Sequence, residues 1–373
     1  MNTNNFIVRY TFFLLSLILT IYAIIVARDF LYPITLGALG SYLLFPFINF
    51  LEKKHIPRIL AILFNLLLII IIIYILASFV YKRLDNLVST LPELKRQALF
   101  NIDTLLEKIE SNFNIRNGII ENFVKSRVAF AFESGEDLFN RVFTATTDTL
   151  FTLLLLPVYI FLFLFYRTKF ANFILKIVPE DKKFITVKIL RDISRIAPKY
   201  LAGVMMVGII LACINSIGLL YFGVKFAIIL GIISGLLAFI PYFGSILGGI
   251  TIFIFTLLTA ENPVISFKIG IFSIIIVFIE HNILTPNIVG NNLRINPFVI
   301  ILSLIIAGSI WGIPGLLVIV PFMAIVKIIT KHYPGLNSYS YLLGMRGTRK
   351  HAVHFPTIKE LLYKKKYLNN DDE

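Results

Sequence analysis

Glu280, His281 and Asn282 are three adjacent residues whose side chains could bind a cation or carry a proton. Glu280 is the only acidic residue in the apolar stretch Val264–Leu284. A carboxylate inside a membrane is costly unless it is paired or hydrated, so such a residue is a functional candidate by default. His281 is its natural partner, because imidazole titrates near neutral pH. The competing interpretation places the three residues at the cytoplasmic membrane interface, where a charge costs little.

Two long uncharged stretches on either side of this segment are interrupted by proline and glycine. The first, Phe226–Ala260, contains Pro241–Ser245, and the second, Ile295–Val326, contains Gly312–Gly315. Each is too long for one membrane crossing and short for two. Non-helical backbone at membrane depth occurs only where it is buried in protein or lines a wet cavity. Paired broken segments therefore indicate a transporter's binding site, unless each tip is an ordinary turn at the membrane surface.

The composition places these segments in an all-α polytopic membrane protein. The 373-residue chain is 58% apolar and 15% charged, and its mean hydropathy is +0.86. Soluble domains carry about 25% charged residues. The net charge of +14 fits basic cytoplasmic loops, so we expect no nucleic-acid partner. The single cysteine, Cys213, excludes a disulfide within the chain.

Six predicted spans accompany the two broken hairpins, and the first is too long for the apolar core of a signal peptide. Lysine and arginine exceed acidic residues nine to three in 166–199 and three to one in 51–58. This bias places both segments and both chain termini in the cytoplasm of a bacterial inner-membrane protein. Parity then allows six, eight or ten crossings, and we expect about eight. The spans are Phe6–Ala27, Phe30–Leu51, Ile59–Tyr81, Thr149–Tyr166, Leu201–Phe222 and Val264–Leu284.

Two segments are expected outside the membrane. One lies between the membrane regions 1–81 and 148–330, and the other follows the second region. Residues 82–147 form an extracytoplasmic helical insertion, with apolar residues at helical spacing from Leu84 to Ile109. That seam could contact another subunit as a homo-oligomer, the second half of the insertion, or lipid. The basic tail 331–373 either binds anionic membrane lipid or is merely solvated.

Small residues recur every four positions at Gly208, Ala212 and Ser216, which would let a neighbouring helix approach closely. Asn215 lies beside this stripe and Asn65 lies in the third span. Each asparagine is either a hydrogen-bond partner between helices or a ligand of the transported molecule.

Several catalytic patterns are absent from the sequence. It contains no phosphate-binding loop of the G-x-x-x-x-G-K-[ST] type, no H-E-x-x-H and no nucleophile elbow. We therefore expect neither an enzyme nor a cofactor or metal site. Transport would draw on an ion gradient, on the gradient of the substrate, or on a partner.

Three segments together resemble the autoinducer-2 exporter family, and the resemblance runs from about Phe6 to Thr330. They are "GIISGLLAFIPYFGSILGG", "IEHNILTPNIVGNNLRINP" and "GIPGLLVIVP". The resemblance implies a small-molecule exporter or, as for some relatives, a sodium/proton antiporter. The positions that match the family pattern are Pro241, Tyr242, Gly244, Glu280, Pro286, Gly290, Pro297, Gly312, Gly315 and Pro321.

Ser245 and Val204 depart from that pattern, because the family usually has proline at the first position and often glutamine at the second. We expect export by alternating access, with the two tips as gates. The rivals are cation/proton exchange through Glu280 and a non-transporting membrane scaffold. The expected substrate or ion pathway comprises Asn215, Pro241, Tyr242, Gly244, Ser245, Glu280, His281, Asn282, Pro286, Gly290, Gly312 and Gly315.

Overall fold

The computed structural model describes residues 3–113, 118–143, 147–260, 262–290 and 295–345. These ranges are almost entirely helical. In chain order the helices are α1 (Thr3–Val26), α2 (Arg28–Lys53), α3 (Arg58–Ser89), α4 (Leu91–Phe113), α5 (Gly118–Phe143), α6 (Thr147–Ile177), α7 (Glu180–Tyr221), α8 (Ala227–Leu237), α9 (Gly244–Thr259), α10 (Pro263–Ile279), a π-turn (Glu280–Leu284), α11 (Thr285–Ile288), α12 (Pro297–Trp311), α13 (Ile313–His332) and α14 (Asn337–Leu343).

Seven of the described helical segments are long and apolar enough to cross a membrane. Six of them correspond to the six predicted spans, and the seventh, Ile313–His332, is the longer arm of the second broken stretch. The chain is therefore an all-α polytopic membrane protein, as the sequence predicts. The seven segments are Ile7–Val26, Arg28–Lys53, Arg58–Ser89, Leu154–Ile177, Glu180–Tyr221, Val264–Ile288 and Ile313–His332.

Four helices extend well beyond the predicted spans, and the first of them, α3, runs on from Tyr81 to Ser89. α6 runs on to Ile177, α7 begins at Glu180, and the helix that contains Glu280 continues to Ile288. The apolar pattern predicts where lipid contacts a helix, whereas polar residues prolong the same hydrogen-bonded helix into water. Acidic Glu180 and Asp181 in the first turn of α7 favour a helix start there, because they face the positive end of the helix dipole.

The stripe of small residues on α7 packs against α8. A methyl group added at Gly235 would overlap the carbonyl oxygen of Gly208, and one at Gly231 would overlap Ser216. Beside this contact, Asn215 donates a hydrogen bond of 2.9 Å from Nδ2 to Ser234 Oγ. The two backbones thus approach as closely as glycine permits, which fixes the first broken stretch on α7.

Each broken stretch forms two antiparallel helices. α8 and α9 make the first hairpin, whose break spans 238–243, and α12 and α13 make the second hairpin, whose break is Gly312. Gly312 has φ +62° and ψ −138°, a conformation that favours glycine. Both hairpins close tightly, because a methyl group would overlap Leu237 O at Gly244 and Ala307 O at Gly315.

The insertion docks on the membrane region through α4. Its residues Leu94, Ala98 and Ile102 are buried, and α4 packs on both α5 and α9. Asn101 Nδ2 donates to two carbonyl oxygens at the end of α9, Leu258 O at 2.8 Å and Ala260 O at 2.9 Å. The described part of the predicted seam therefore contacts its own chain.

α1 makes few contacts with the other helices, and most of its described side chains are exposed. A groove of about 610 Å³ lies between α1 and the start of α2, lined largely by apolar side chains such as Phe12, Leu15 and Leu31. A helix that is apolar all round is stable where lipid covers it. We therefore assign this groove to lipid and look for the site elsewhere.

Candidate functional site

The carboxylate of Glu280 is buried and accepts hydrogen bonds from two hydroxyl groups. Ser245 Oγ donates to Glu280 Oε2 at 2.7 Å, and Thr285 Oγ1 donates to Glu280 Oε1 at 2.8 Å. Hydrogen bonds to an ionised group are stronger than those between neutral groups. The carboxylate is thus joined to the first hairpin by Ser245 and to its own helix by Thr285.

His281 completes this group. Its Nε2 lies 3.3 Å from Glu280 Oε2 and 3.3 Å from Ser245 Oγ. The Ser245 hydroxyl hydrogen points to the carboxylate, so both neighbours of Nε2 present lone pairs. We therefore assign a hydrogen to Nε2, which makes His281 a donor to this cluster.

The π-turn explains why Thr285 reaches Glu280. In an α-helix, side chains five residues apart lie about 140° apart around the axis and do not contact each other. Glu280–Leu284 forms a π-turn, and the Thr285 N–H bonds to Glu280 O. The wider turn brings the side chains of residues 280 and 285 together. Such turns are rare and are often found at functional sites.

The cluster forms one wall of a cavity of about 290 Å³. Tyr200, Val204 and Val207 from α7 form a second wall. The break of the first hairpin contributes Ala238, Ile240, Pro241 and Tyr242, and the segment after the π-turn contributes Pro286, Val289 and Gly290. The second hairpin contributes Ile300 and Val320, which lie on its helices rather than at its tip.

The start of the C-terminal segment lies against the same cavity. Ile295 and Met345 both line it. Ile295 pairs with Gly344 in an isolated antiparallel bridge, and the Asn296 N–H donates to Leu343 O at 2.9 Å. The backbone that follows α14 is thereby fixed beside the loop that precedes α12, and the two together form the end of the cavity.

Seven of the twelve predicted pathway residues line this cavity. They are Pro241, Tyr242, Ser245, Glu280, His281, Pro286 and Gly290. The helix that contains Glu280 continues for two further turns, to Ile288, whereas the apolar pattern ended at Leu284. Tyr242 also has φ +66°, a strained conformation for a residue with a side chain, at the point where the first hairpin reverses.

The other five predicted residues lie elsewhere. Asn215 binds Ser234 between α7 and α8, and the exposed Asn282 donates to Phe278 O of its own helix. Gly244 and Gly315 are packing residues within the first and second hairpins, whereas Gly312 forms the break of the second hairpin with φ +62° and has nothing within 4 Å of an added Cβ. Arg294, which the sequence offered as an anion ligand, lies outside the described residues.

Sequence reasoning missed Thr285 and Tyr200. The sequence marked Thr285 only as part of a polar segment, because residues five apart do not lie on the same face of an α-helix. Tyr200 follows Lys199 at the point where the apolar part of α7 begins, and nothing in the sequence distinguishes it from any other aromatic residue at the end of a span. A π-turn prediction or a contact map would have found both residues.

Chemically, the site can hold a positive charge or exchange a proton. Glu280 supplies the negative charge, two hydroxyl oxygens supply further lone pairs, and His281 supplies a second titratable group. Among the described residues, no group of three or more histidine, cysteine or acidic side chains could hold a metal ion.

Comparisons with known proteins agree with a transport role. A family model described as AI-2E family transporter matches residues 14–335. The "Putative transport protein YrrI" of Bacillus subtilis (strain 168) is 28% identical over 340 residues, which cover 87% of this chain and 92% of that protein. "AI-2 transport protein TqsA" of Escherichia coli (strain K12) is 24% identical over 329 residues, which cover 85% and 90%. The chain therefore belongs to the AI-2E family of transporters.

Proposed function

We propose that this transporter is a secondary exporter of a small polar or charged molecule, with the cavity at Glu280 as its substrate site. One observation carries the proposal. The buried carboxylate is bound by Ser245, which lies on the first hairpin and not on the helix of Glu280. Any movement of that hairpin breaks or forms a charged hydrogen bond at the site, so ligand binding and hairpin position are linked.

Alternating access follows from this link. In the structure Ser245 donates to Glu280 and the break of the first hairpin covers one side of the cavity. A substrate that replaces Ser245 as the partner of Glu280 frees the hairpin to move. Because a ligand shifts an equilibrium only by its differential affinity for the two states, this exchange of partners is the step that would couple binding to movement.

The orientation favours eight crossings in the bacterial inner membrane, with both termini in the cytoplasm. α8 and α9 span about 16 and 24 Å, less than a hydrocarbon core of about 30 Å, so the first hairpin enters and returns on one side. α13, at about 30 Å, is long enough to cross. The tip of the second hairpin reaches the C-terminal end of α1, where Trp311 Nε1 donates to Ile24 O at 3.3 Å. α12, at about 22 Å, is as short as α9, so its length alone does not make it a span. We place the C-terminal end of α1 outside, and the contact with Trp311 therefore favours two crossings by the second hairpin.

The cavity then lies toward the cytoplasm. Glu280 is about 25 Å along its helix from the external end at Pro263. The cavity wall also includes Met345, at the start of the cytoplasmic tail. A site close to the cytoplasm receives its substrate from inside the cell, which agrees with export.

Sodium/proton exchange is the second candidate, and the contact between His281 Nε2 and Glu280 Oε2 favours it. A carboxyl group and an imidazole in contact could exchange a proton for a bound cation. A carboxylate with two hydroxyl groups also offers oxygen ligands to a cation. This candidate uses the same residues and differs only in what the cavity binds.

The test compares the full-length protein with Glu280→Gln in two assays. One measures efflux of AI-2 and, separately, of choline from cells that express the transporter, and the other measures sodium-driven proton flux in proteoliposomes. We expect the variant to lose at least about a hundredfold in whichever assay the wild type supports, because breaking a buried charged interaction costs about 3–5 kcal/mol. Glu133→Gln, an exposed acid in the insertion, is the matched control. Unchanged transport by Glu280→Gln would refute the site.

A scaffold without transport activity is the rival from another class. Deleting residues 82–147 does not separate it from a transporter, because α4 packs on α9 and Asn101 binds the end of that helix. Both hypotheses predict a loss on deletion. The point variant Glu280→Gln does separate them, because a scaffold that acts through its insertion should tolerate it.

A further inference from the structure

The cavity presents more hydrogen-bond acceptors than free donors. The hydroxyl hydrogens of Ser245 and Thr285 are both directed to Glu280, which leaves their oxygens as acceptors. The Nε2 hydrogen of His281 faces the same carboxylate. Among the side chains of the described lining residues, only the phenol groups of Tyr200 and Tyr242 remain as further donors. A ligand that fits this wall donates hydrogen bonds or carries positive charge.

The two tyrosines also supply aromatic rings on the wall of the same cavity. Tyr200 lies on α7 and Tyr242 at the break of the first hairpin. Aromatic rings attract organic cations through the negative charge at their faces, and tyrosine is among the rings that do so best. A carboxylate and two tyrosines around one cavity form the combination of groups that recognises an ammonium ion.

The rest of the wall is apolar. Val204 and Val207 face the cavity from α7, and Ile300 and Val320 face it from the second hairpin. The volume of about 290 Å³ corresponds to about ten water molecules at about 30 Å³ each. This space suits the body of a small organic molecule.

We propose that the cavity binds a small organic monocation, with an ammonium group at Glu280 and an apolar body against the valines and tyrosines. The inference rests on the proposed function and names its substrate class. Ser245 holds the carboxylate until the cation arrives. The cation then takes over the carboxylate from Ser245, which is the exchange of partners that frees the first hairpin.

Other ligand classes fit less well. An anion would meet the carboxylate, and no lysine or arginine lines the described part of the cavity. A neutral molecule with many hydroxyl groups would need a balanced set of donors, and the apolar walls would leave its hydroxyl groups unpaired. A bare sodium ion would use the oxygens of the Glu280 cluster but would leave the apolar walls and the tyrosine rings without a function.

Choline and its neutral isostere 3,3-dimethyl-1-butanol test the charge directly. The purified full-length protein in lipid nanodiscs is titrated with each compound and with sodium chloride, at constant ionic strength set with potassium chloride. We expect saturable choline binding and at least about tenfold weaker binding of the isostere, as for an interaction with a charged group. Equal affinity for the two compounds, or no choline binding, would overturn the inference.

Variants assign the binding to this cavity. Glu280→Gln should weaken choline at least about tenfold, Glu280→Asp should retain part of the affinity, and Glu133→Gln should match the wild type. Tyr200→Leu should weaken choline about threefold to tenfold, whereas Tyr200→Phe, which keeps the ring, should stay near the wild type. If the affinity for choline is the same in all of these variants, choline binds outside the cavity and the proposal is contradicted.

The outcomes also separate this inference from the proposed function. If transport requires Glu280 but choline neither binds nor competes, the substrate class is wrong, whereas the site and its role in transport stand. If Glu280→Gln leaves both transport and binding unchanged, the proposed function itself fails. Monodisperse elution of each variant shows that a loss does not come from unfolding.

Discussion

The two hairpins have the same backbone construction but different surroundings. In each, a glycine of the second helix packs against a carbonyl oxygen of the first, Gly244 on Leu237 and Gly315 on Ala307. The first hairpin brings Ser245 to a buried carboxylate. The second brings Trp311 to the backbone of α1 and turns its helices, not its tip, toward the cavity. A broken helix thus becomes part of a site only where its break meets a charged partner.

Alanine at the two packing glycines should have the largest effect on the fold. Gly244→Ala and Gly315→Ala each place a methyl group on a backbone carbonyl, and overpacking of this kind costs about 1–3 kcal/mol. We expect both variants to lower the thermal unfolding temperature in detergent by similar amounts. Only Gly244→Ala should also reduce transport by more than its loss of folded protein, because Ser245 is the next residue.

Gly335→Ala is the control for this pair, because nothing lies within 4 Å of an added Cβ at that position. If Gly315→Ala impaired transport as much as Gly244→Ala at equal folded protein, the second tip would act as a gate after all. The functional contrast between the hairpins would then disappear.

Removing one hydroxyl group from each hairpin tests the functional difference between the two hairpins without disturbing the packing of either. Ser245→Ala deletes a hydrogen bond to a carboxylate, which contributes about 1.5–3 kcal/mol, so we expect transport to fall roughly tenfold to a hundredfold. Ser309 is exposed and donates only to Ile305 O of its own helix, so Ser309→Ala should transport like the wild type. Initial rates of transport measure both, and equal rates for the two variants would refute a role for the Ser245 bond.

Substitutions of the side chains that attach each hairpin to another helix, Asn101 and Trp311, should give the smallest effects. Asn101→Ala removes two hydrogen bonds at the end of α9, and Trp311→Phe removes one longer bond at the second tip. At about 1 kcal/mol per bond, we expect faster hydrogen exchange in 244–259 for the first variant and a weaker change in 297–332 for the second. Thr104→Ala, whose hydroxyl donates only to its own helix, is the control. If either variant increased hydrogen exchange in both hairpins, the two hairpins would not move independently.

The sequence predicted the spans, the two breaks and Glu280, because each depends on local composition. A run of about 20 apolar residues predicts a crossing whatever packs around it, and a lone acid within such a run is conspicuous. Pro241 and Gly312 likewise predict breaks, since both residue types interrupt helices.

The partners of Glu280 depend on geometry that local composition does not contain. The hydrophobic pattern treats the two hairpins alike, so it assigned both tips to one site. Ser245 was noted as a departure from the family, but its role required the position of the first hairpin against α10. Thr285 needed the π-turn, and the contact of Asn101 with α9 joins residues more than 150 positions apart.

The bridge between Ile295 and Gly344 has a practical consequence for handling the protein. Met345 is part of the cavity wall, so a C-terminal purification tag, fluorescent fusion or surface tether pulls on a chain that is attached directly beside the proposed substrate site. Such a load would be transmitted through Gly344 to the Asn296–Leu343 bond before it reached any span. Affinity tags and immobilisation chemistry therefore belong at the N-terminus, and any truncation of the tail should leave Met345 in place.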